Sequence, residues 1–456
     1  MRTMQTQETE GIRLNSFDPV ERRIALDELA SSPAAQAATG ENVNMHLHSF
    51  FSYNARGLSP SALAWESRKA GLYAAGLCDF DVLDGLEEFL EAGPRLGLRV
   101  SANLETRAYL KEYAEAEINS PGEPGVTYIM GAGFVRVPPA GSAQAGMLGE
   151  LRHQAAARNI ALVGRINPHV GPASVDYEKD VVPLSPGRCP TGRHIVRAYV
   201  NRAKSAFSGA ALAGFWAPLL GRTAEETAKL VGNIPAFEEG VRARLVKKGG
   251  LGYEPPTPRT FPLVDDFVGW VLQCGAIPMA TWLDGTSPGE ADHAALLQCL
   301  RAKGVAAVNI IPDRNWNYSD PAARALKTRL LKEYVQAAEA LNMPVNIGTE
   351  MNRDGLPFVD NLGGEALKPF RDMFRRGAQV MVGHTLLARY GGYSYTGRAA
   401  AEEFGNDVPA KNVFFASVGA LPPVTTPAEE RLKRMGPDAA NLTIRHSAAA
   451  GAWCWA

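Results

Sequence analysis

Residues 41–85 read ENVNMHLHSFFSYNARGLSPSALAWESRKAGLYAAGLCDFDVLDG, and their rhythm decides the fold. Residues 43–48 alternate along a predicted strand. Ser59-Pro60 then opens a predicted helix over 62–70, because serine caps well and proline suits a first turn. Gly71 closes it. A second strand is predicted over 73–79, a helix over 86–96 closed by Gly97, and a third strand over 98–105. This βαβαβ alternation predicts a parallel sheet or barrel.

The same alternation returns late in the chain. Helices are predicted over 264–274, from Ser287-Pro288 to Gly304, and from Asp320-Pro321 to Leu341. Strands are predicted over 276–282, 305–311 and 345–349, with a last helix–strand unit over 365–376 and 379–383. Between the two blocks the pattern loosens. Strands are expected over 126–135 and 161–166, and residues 167–262 are rich in Pro, Gly and Arg. The expected organisation is an N-terminal extension over 1–40, a barrel over 41–383 with 136–262 as an insertion or cap, and a C-terminal extension over 384–456.

The bulk composition narrows the function classes. The 456 residues are 46% hydrophobic and 21% charged, with a formal net charge of −1. That is core enough for one large α/β barrel. It supplies no basic field for non-specific nucleic-acid binding, so no nucleic-acid partner is expected. An anionic substrate would need local arginines or a metal. The N-terminal segment MRTMQTQETEGIRL has no apolar leader, and no run of about 18 apolar residues predicts a membrane span. Five cysteines without a CxxC pair are read as reduced thiols. The expectation is a cytoplasmic protein, and the oligomeric state is not legible.

Polar residues cluster at the predicted strand ends, where a (β/α) barrel builds its active site. Strand alternation puts His46 and His48 on one face, the barrel interior, and two such imidazoles can share a cation. The second strand ends in Cys78-Asp79-Phe80-Asp81 and the third in Glu105. The late strand ends in Glu350, followed two residues on by Asn352. A mixed histidine/carboxylate set suits zinc, manganese or iron, with His46, His48, Glu105 and Glu350 as the expected ligands. His384 follows the apolar run 380–383 and is read as a strand-end acid/base beside Asp79 and Asp81. Arg107 lies two residues beyond Glu105 and is expected to face the same interior and hold an anion, with His194 of the insertion reaching over the site.

The run from His46 to Glu105 resembles the PHP (polymerase and histidinol phosphatase) superfamily. Its HxH motif, serine and proline-started helix match His46-Leu47-His48-Ser49 and Ser59-Pro60. Its second motif matches Cys78-Asp79-Phe80-Asp81-Val82-Leu83-Asp84-Gly85, its glutamate Glu105, and its last motif Gly348-Thr349-Glu350-Met351-Asn352. The resemblance implies a distorted (β/α)7 TIM-like barrel, up to three metals, and phosphoester hydrolysis by a metal-activated water. Several positions depart from it. Phe80, Tyr128 and Thr281-Trp282 stand where ligand-bearing residues are usual, Glu350 replaces Asp, and Asn352 replaces His. One ion, or a weak second, is therefore expected rather than a trinuclear cluster.

The leading expectation is a metal-dependent hydrolase, a phosphoesterase acting on a small anionic substrate. The alternative is a catalytically degenerate PHP-like protein that binds a small ligand or partner without turnover. A further alternative is an amidohydrolase-like C–N hydrolase, which would need more strand-end histidines.

Overall fold

The computed structural model describes residues 11–36 and 38–455; the first ten residues, read above as leader-free extension, lie outside it. Seven strands form one sheet in chain order. They are β1 Val43–Leu47, β2 Ala74–Phe80, β3 Arg99–Tyr109, β4 Val126–Ala132, β5 Ile277–Trp282, β6 Ala307–Ile310 and β7 Val345–Ile347. The two edges meet just beyond β7. There the Glu350 N–H donates to the His46 carbonyl at 2.8 Å, and the His48 N–H donates to the Glu350 carbonyl at 2.9 Å. The sheet is thereby nearly closed into a barrel.

The helices between strands begin as the sequence predicts. Ser59 caps Pro60–Lys69 by accepting from Ala62 N–H, and Asp320 caps Pro321–Ala340. Gly97, with φ +58°, ends Leu86–Leu96 in the left-handed conformation that favours glycine.

β4 breaks the parallel pattern, running antiparallel to both β3 and β5. Residues 110–125 hold only one short 3-10 turn, Lys111–Tyr113, and a parallel return would need a crossover helix. The reversal has a consequence for the site. β4 delivers the chain to the barrel end where the parallel strands begin. The 24-residue helix Ala143–Ile166, roughly 36 Å long at about 1.5 Å per residue, then carries it back towards the mouth. Residues 161–166, expected as a strand, are the last turns of this helix. A short apolar run does not reveal its own periodicity.

Beyond that helix the insertion packs around its own apolar cluster, with Ile166, Ile195, Tyr199, Trp216, Phe237 and Leu245 all buried. The helix Gly192–Ala206 supplies the largest share of it, and Gly209–Leu220 and Ile234–Leu245 pack on it.

The expected strand over 379–383 is also corrected. These residues form the middle of the helix Arg371–Gly391. It lies across the end of the barrel opposite the mouth. Gly377 packs on the Val345 carbonyl at the start of β7, Gln379 donates to the Tyr73 hydroxyl just before β2, and Thr385 meets Ser101 near the start of β3. Helices Val408–Ala420 and Pro437–Ala450 cover its other side. Val380, Met381 and Val382 are buried all round for that reason, which makes a helix read like a core strand. The expected boundary between residues 383 and 384 thus falls inside one helix. Among the described residues no helix is long and apolar enough to cross a membrane, and the five cysteines are unpaired.

Candidate metal centre

β1 turns His46 and His48 to the barrel interior, and β3 brings Glu105 level with the top of β2, opposite Phe80. One donor atom from each of His46, His48 and Glu105 lies within 4.8 Å of the others. Each histidine Nε2 stands 3.5 Å from Glu105 Oε2. Two donors about 2.0–2.1 Å from one tetrahedral cation would be roughly 3.4 Å apart, so the spacing suits a shared ion better than a direct hydrogen bond. All three residues are at least 97% buried by surface.

The neighbours fix which ring nitrogens are free. His46 Nδ1 donates to Asn309 Oδ1 at 3.0 Å, and His46 Nε2 is buried with no hydrogen-bond partner. Ser52 Oγ donates to Asp79 Oδ1 at 2.9 Å, which leaves its lone pair to accept from His48 Nδ1 at 3.2 Å. Both Nε2 atoms therefore face the space beside Glu105, and outer partners of this kind set ligand orientation and basicity. A buried, unpartnered imidazole nitrogen facing a carboxylate is the donor set a divalent cation wants.

Closeness also sets the protonation of the three groups. Burial opposes charge on His46, but the Cys78 thiol and the Glu105 carboxylate outweigh it and hold its pKa well above the ordinary value. Burial, then the charge on His46, pushes His48 down to about 3. Burial raises Glu105, with His46 opposing.

Glu350 is not among the converging donors. Its carboxylate is 2.8 Å from Arg314 Nη2 and accepts from Asn352 Nδ2 at 3.3 Å. Burial would raise its pKa, but Arg314, His46 and His48 together hold it at about 2. The reason lies in the backbone: Glu350 and Met351 both have φ near +60°, an uncommon conformation for such residues, and it aims the side chain at the guanidinium.

The expected acid/base residues point elsewhere. Asp79 accepts from Ser49 N–H at 2.7 Å, Ser49 Oγ at 2.6 Å and Ser52 Oγ, and burial still pushes its pKa up to about 6. It supports His48 from behind. Asp81 accepts from Thr106 Oγ1 and lies 3.6 Å from Arg158. His384 is at the far end of the barrel. Its Nε2 donates to the Gly133 carbonyl at 2.9 Å and its Nδ1 accepts from Tyr395 N–H at 3.0 Å. A fully buried ring with both nitrogens engaged has no proton to pass to the mouth. His194 accepts from Thr191 N–H at the start of its helix and stands edge-on to Tyr53. Its neighbour Arg193, rather than His194 itself, lines the cleft.

Above the three donors opens a cleft of about 750 Å³, lined by the barrel mouth and by the insertion. Phe80, Tyr128 and Trp282 lie on its wall, and none of the three carries an imidazole or carboxylate. Arg107 faces the cleft as expected, paired with Glu123 at 2.7 Å. Arg158, Arg193, Arg242 and Lys247 also line it, and single-sequence reading passed over them. One signal was available. Gln154, Ala157, Arg158, Ala161 and Arg165 recur at helical spacing and form one face of Ala143–Ile166 towards the cleft.

A Ser52→Ala protein tests the support of His48. Metal affinity should fall about 10–100-fold, the usual cost of losing an outer partner, with thermal stability nearly unchanged. Calorimetric titration with zinc or manganese measures it, and an unaltered affinity would show that Ser52 does not hold the ring.

No family model matches the sequence, and no curated protein matches it. Two solved structures are among those similar in shape. One is a protein of Bifidobacterium adolescentis provisionally described as a metal-dependent phosphoesterase, at 16% identity over 74% of this chain and 98% of that one, with a TM-score of 0.47. The other is an amidohydrolase from Chromobacterium violaceum with bound sulfate and no metal, at 14% identity over 73% and 95%, with a TM-score of 0.48. Likenesses this distant carry no argument about chemistry; the residues do.

Proposed function

We propose that this protein is a metal-dependent hydrolase of small anionic substrates, with phosphoesters as the favoured class. The observation that carries the reading is the meeting of His46, His48 and Glu105, with His46 Nε2 buried and unpartnered, on the floor of a cleft walled by arginines. Two imidazoles and one carboxylate leave coordination positions open, as catalytic rather than structural sites do. A bound divalent ion would lower the pKa of a water and polarise the scissile group. The protein's own groups do the rest. Asn309 and the Ser52–Asp79 pair hold the imidazoles in their tautomers. Arg314, 41% exposed at its side chain, offers a guanidinium to an incoming anion. Glu350, kept ionised by Arg314, accepts a hydrogen bond and orients a water; at a pKa of about 2 it is too weak a base to keep the proton.

The test is turnover of a broad panel of phosphomonoesters and phosphodiesters by protein loaded with zinc, manganese or iron. Metal-dependent release of phosphate, abolished by a chelator and restored by the ion, is expected. A metal-replete protein inert on the whole panel, yet stabilised by phosphate, would instead support the binding-without-turnover reading. Phe80, Tyr128 and Trp282 on the wall are what favours that rival. A C–N hydrolase is less well supported, since no further histidine joins the three donors among the described residues.

A further inference from the structure

The wall of the cleft outward from Glu105 carries more positive charge than its neighbours neutralise. Arg107 is two residues beyond Glu105 on the same face of β3, roughly 7 Å along the strand. The guanidinium groups of Arg107 and Arg158 each sit 4.6 Å from the centre of the Phe261 ring. Arg242 and Lys247, from the end of the insertion, complete the cluster. Burial first, then the positive charges of Arg242 and Arg107, depresses the pKa of Lys247 to about 8.

The carboxylates present do not balance these groups. Glu123 pairs with Arg107, and Asp81 lies 3.6 Å from Arg158. Glu239 is shared between Arg193 at 2.6 Å and Arg242 at 3.7 Å. Arg242 Nε is buried without a hydrogen-bond partner, and Lys247 has no ion pair among the described residues. The other acids of the outer lining, Glu150 and Glu254, are exposed, and Glu254 is taken by Arg165. Five cations thus face three carboxylates in a half-buried wall. Uncompensated cations out of water are costly, and a fold that assembles them is matched to an anion.

We infer that Arg107, Arg158, Arg242 and Lys247 form a subsite for a dianionic phosphate group distinct from the group held at His46, His48 and Glu105, so that the substrate carries a second phosphate. The inference rests on the hydrolase reading for the word substrate, but not for the binding itself. An excess of two positive charges suits a phosphate monoester better than a carboxylate. Planar guanidinium groups bind its oxygens in pairs, with Lys247 as a point charge.

The test separates the subsite from the metal centre. Inorganic phosphate is titrated calorimetrically into His46→Ala protein, alone and combined with Arg242→Ala or Lys247→Met. Phosphate should bind the His46→Ala protein as tightly as metal-free wild type, and each added substitution should weaken it at least tenfold. Arg242→Lys should retain part of the affinity, which excludes simple misfolding. In the active enzyme, kcat/KM for a bisphosphorylated sugar should exceed that for its monophosphate at least tenfold, and Lys247→Met should erase the difference. Phosphate binding that requires the metal, or that ignores Arg242 and Lys247, would overturn the subsite. Phosphate binding that depends on them without any turnover would instead keep the subsite and defeat the hydrolase reading.

Discussion

A His46→Ala protein is expected to purify with less than about a tenth of an equivalent of divalent metal and to lose metal-dependent turnover. Of the three converging residues, His46 supplies the donor atom, Nε2, that is buried with no hydrogen-bond partner. Its removal costs more than an outer-partner change, so affinity should fall by at least about 100-fold. Stability in the apo state should also fall. Cys78 and Glu105 outweigh burial in holding the proton on His46, and deleting the ring leaves the buried Glu105 without the partner that opposes its burial. Glu350→Ala makes the contrast. Its carboxylate answers Arg314 at 2.8 Å, so that variant should keep its metal while its affinity for anions changes. Elemental analysis of the two proteins side by side reads this directly. Full metal occupancy in His46→Ala, or an equal loss in Glu350→Ala, would mean that the cation sits elsewhere.

How far the chain announces this site follows from where each signal resides. The strand pattern of 43–48 and the polar ends at 79–81 and 105 are local, and periodicity of two fixes which side chains share a face. His46, His48 and Glu105 were therefore legible before any coordinates. Glu350 was legible as a residue near the mouth but not as a partner of Arg314, because the left-handed backbone at 350 and 351 decides its direction. His384 was misread because Val380-Met381-Val382 is apolar on every side, and a helix laid across a barrel end needs that as much as a central strand does. The direction of β4 follows from the absence of a helix between 110 and 125, a cue in the sequence that the βαβ rhythm masked. The arginine wall could not be read from composition at all. A net charge of −1 conceals a cleft in which cations gather on one surface while the acids that balance them are dispersed.

Two glycine substitutions show how the barrel's closure and its chemistry are joined. A Cβ at Gly348 would fall less than 3.0 Å from the Cβ, backbone N and Cα of His46, and a Cβ at Gly377 would fall less than 3.0 Å from the Val345 carbonyl. Neither neighbour is the loose end of a flexible side chain, so the strands or helix must move. Gly348→Ala and Gly377→Ala should each cost about 3 kcal/mol or more, at the upper end for overpacking a core, lowering the melting temperature of a 456-residue chain by roughly 3 °C or more. Their effects on metal should differ. Gly348 abuts the ligand-bearing strand where β7 meets β1, so the Ala variant should displace the His46 ring and lose metal affinity even in the fraction that folds. Gly377 sits at the opposite end of the barrel, in the helix Arg371–Gly391, so its variant should bind metal normally once folded. Melting curves with and without zinc separate the two: the ion should raise the midpoint of Gly377→Ala as it does wild type, and leave that of Gly348→Ala unmoved. Equal rescue of both by zinc would show that the contact between β7 and His46 does not set the position of the ring.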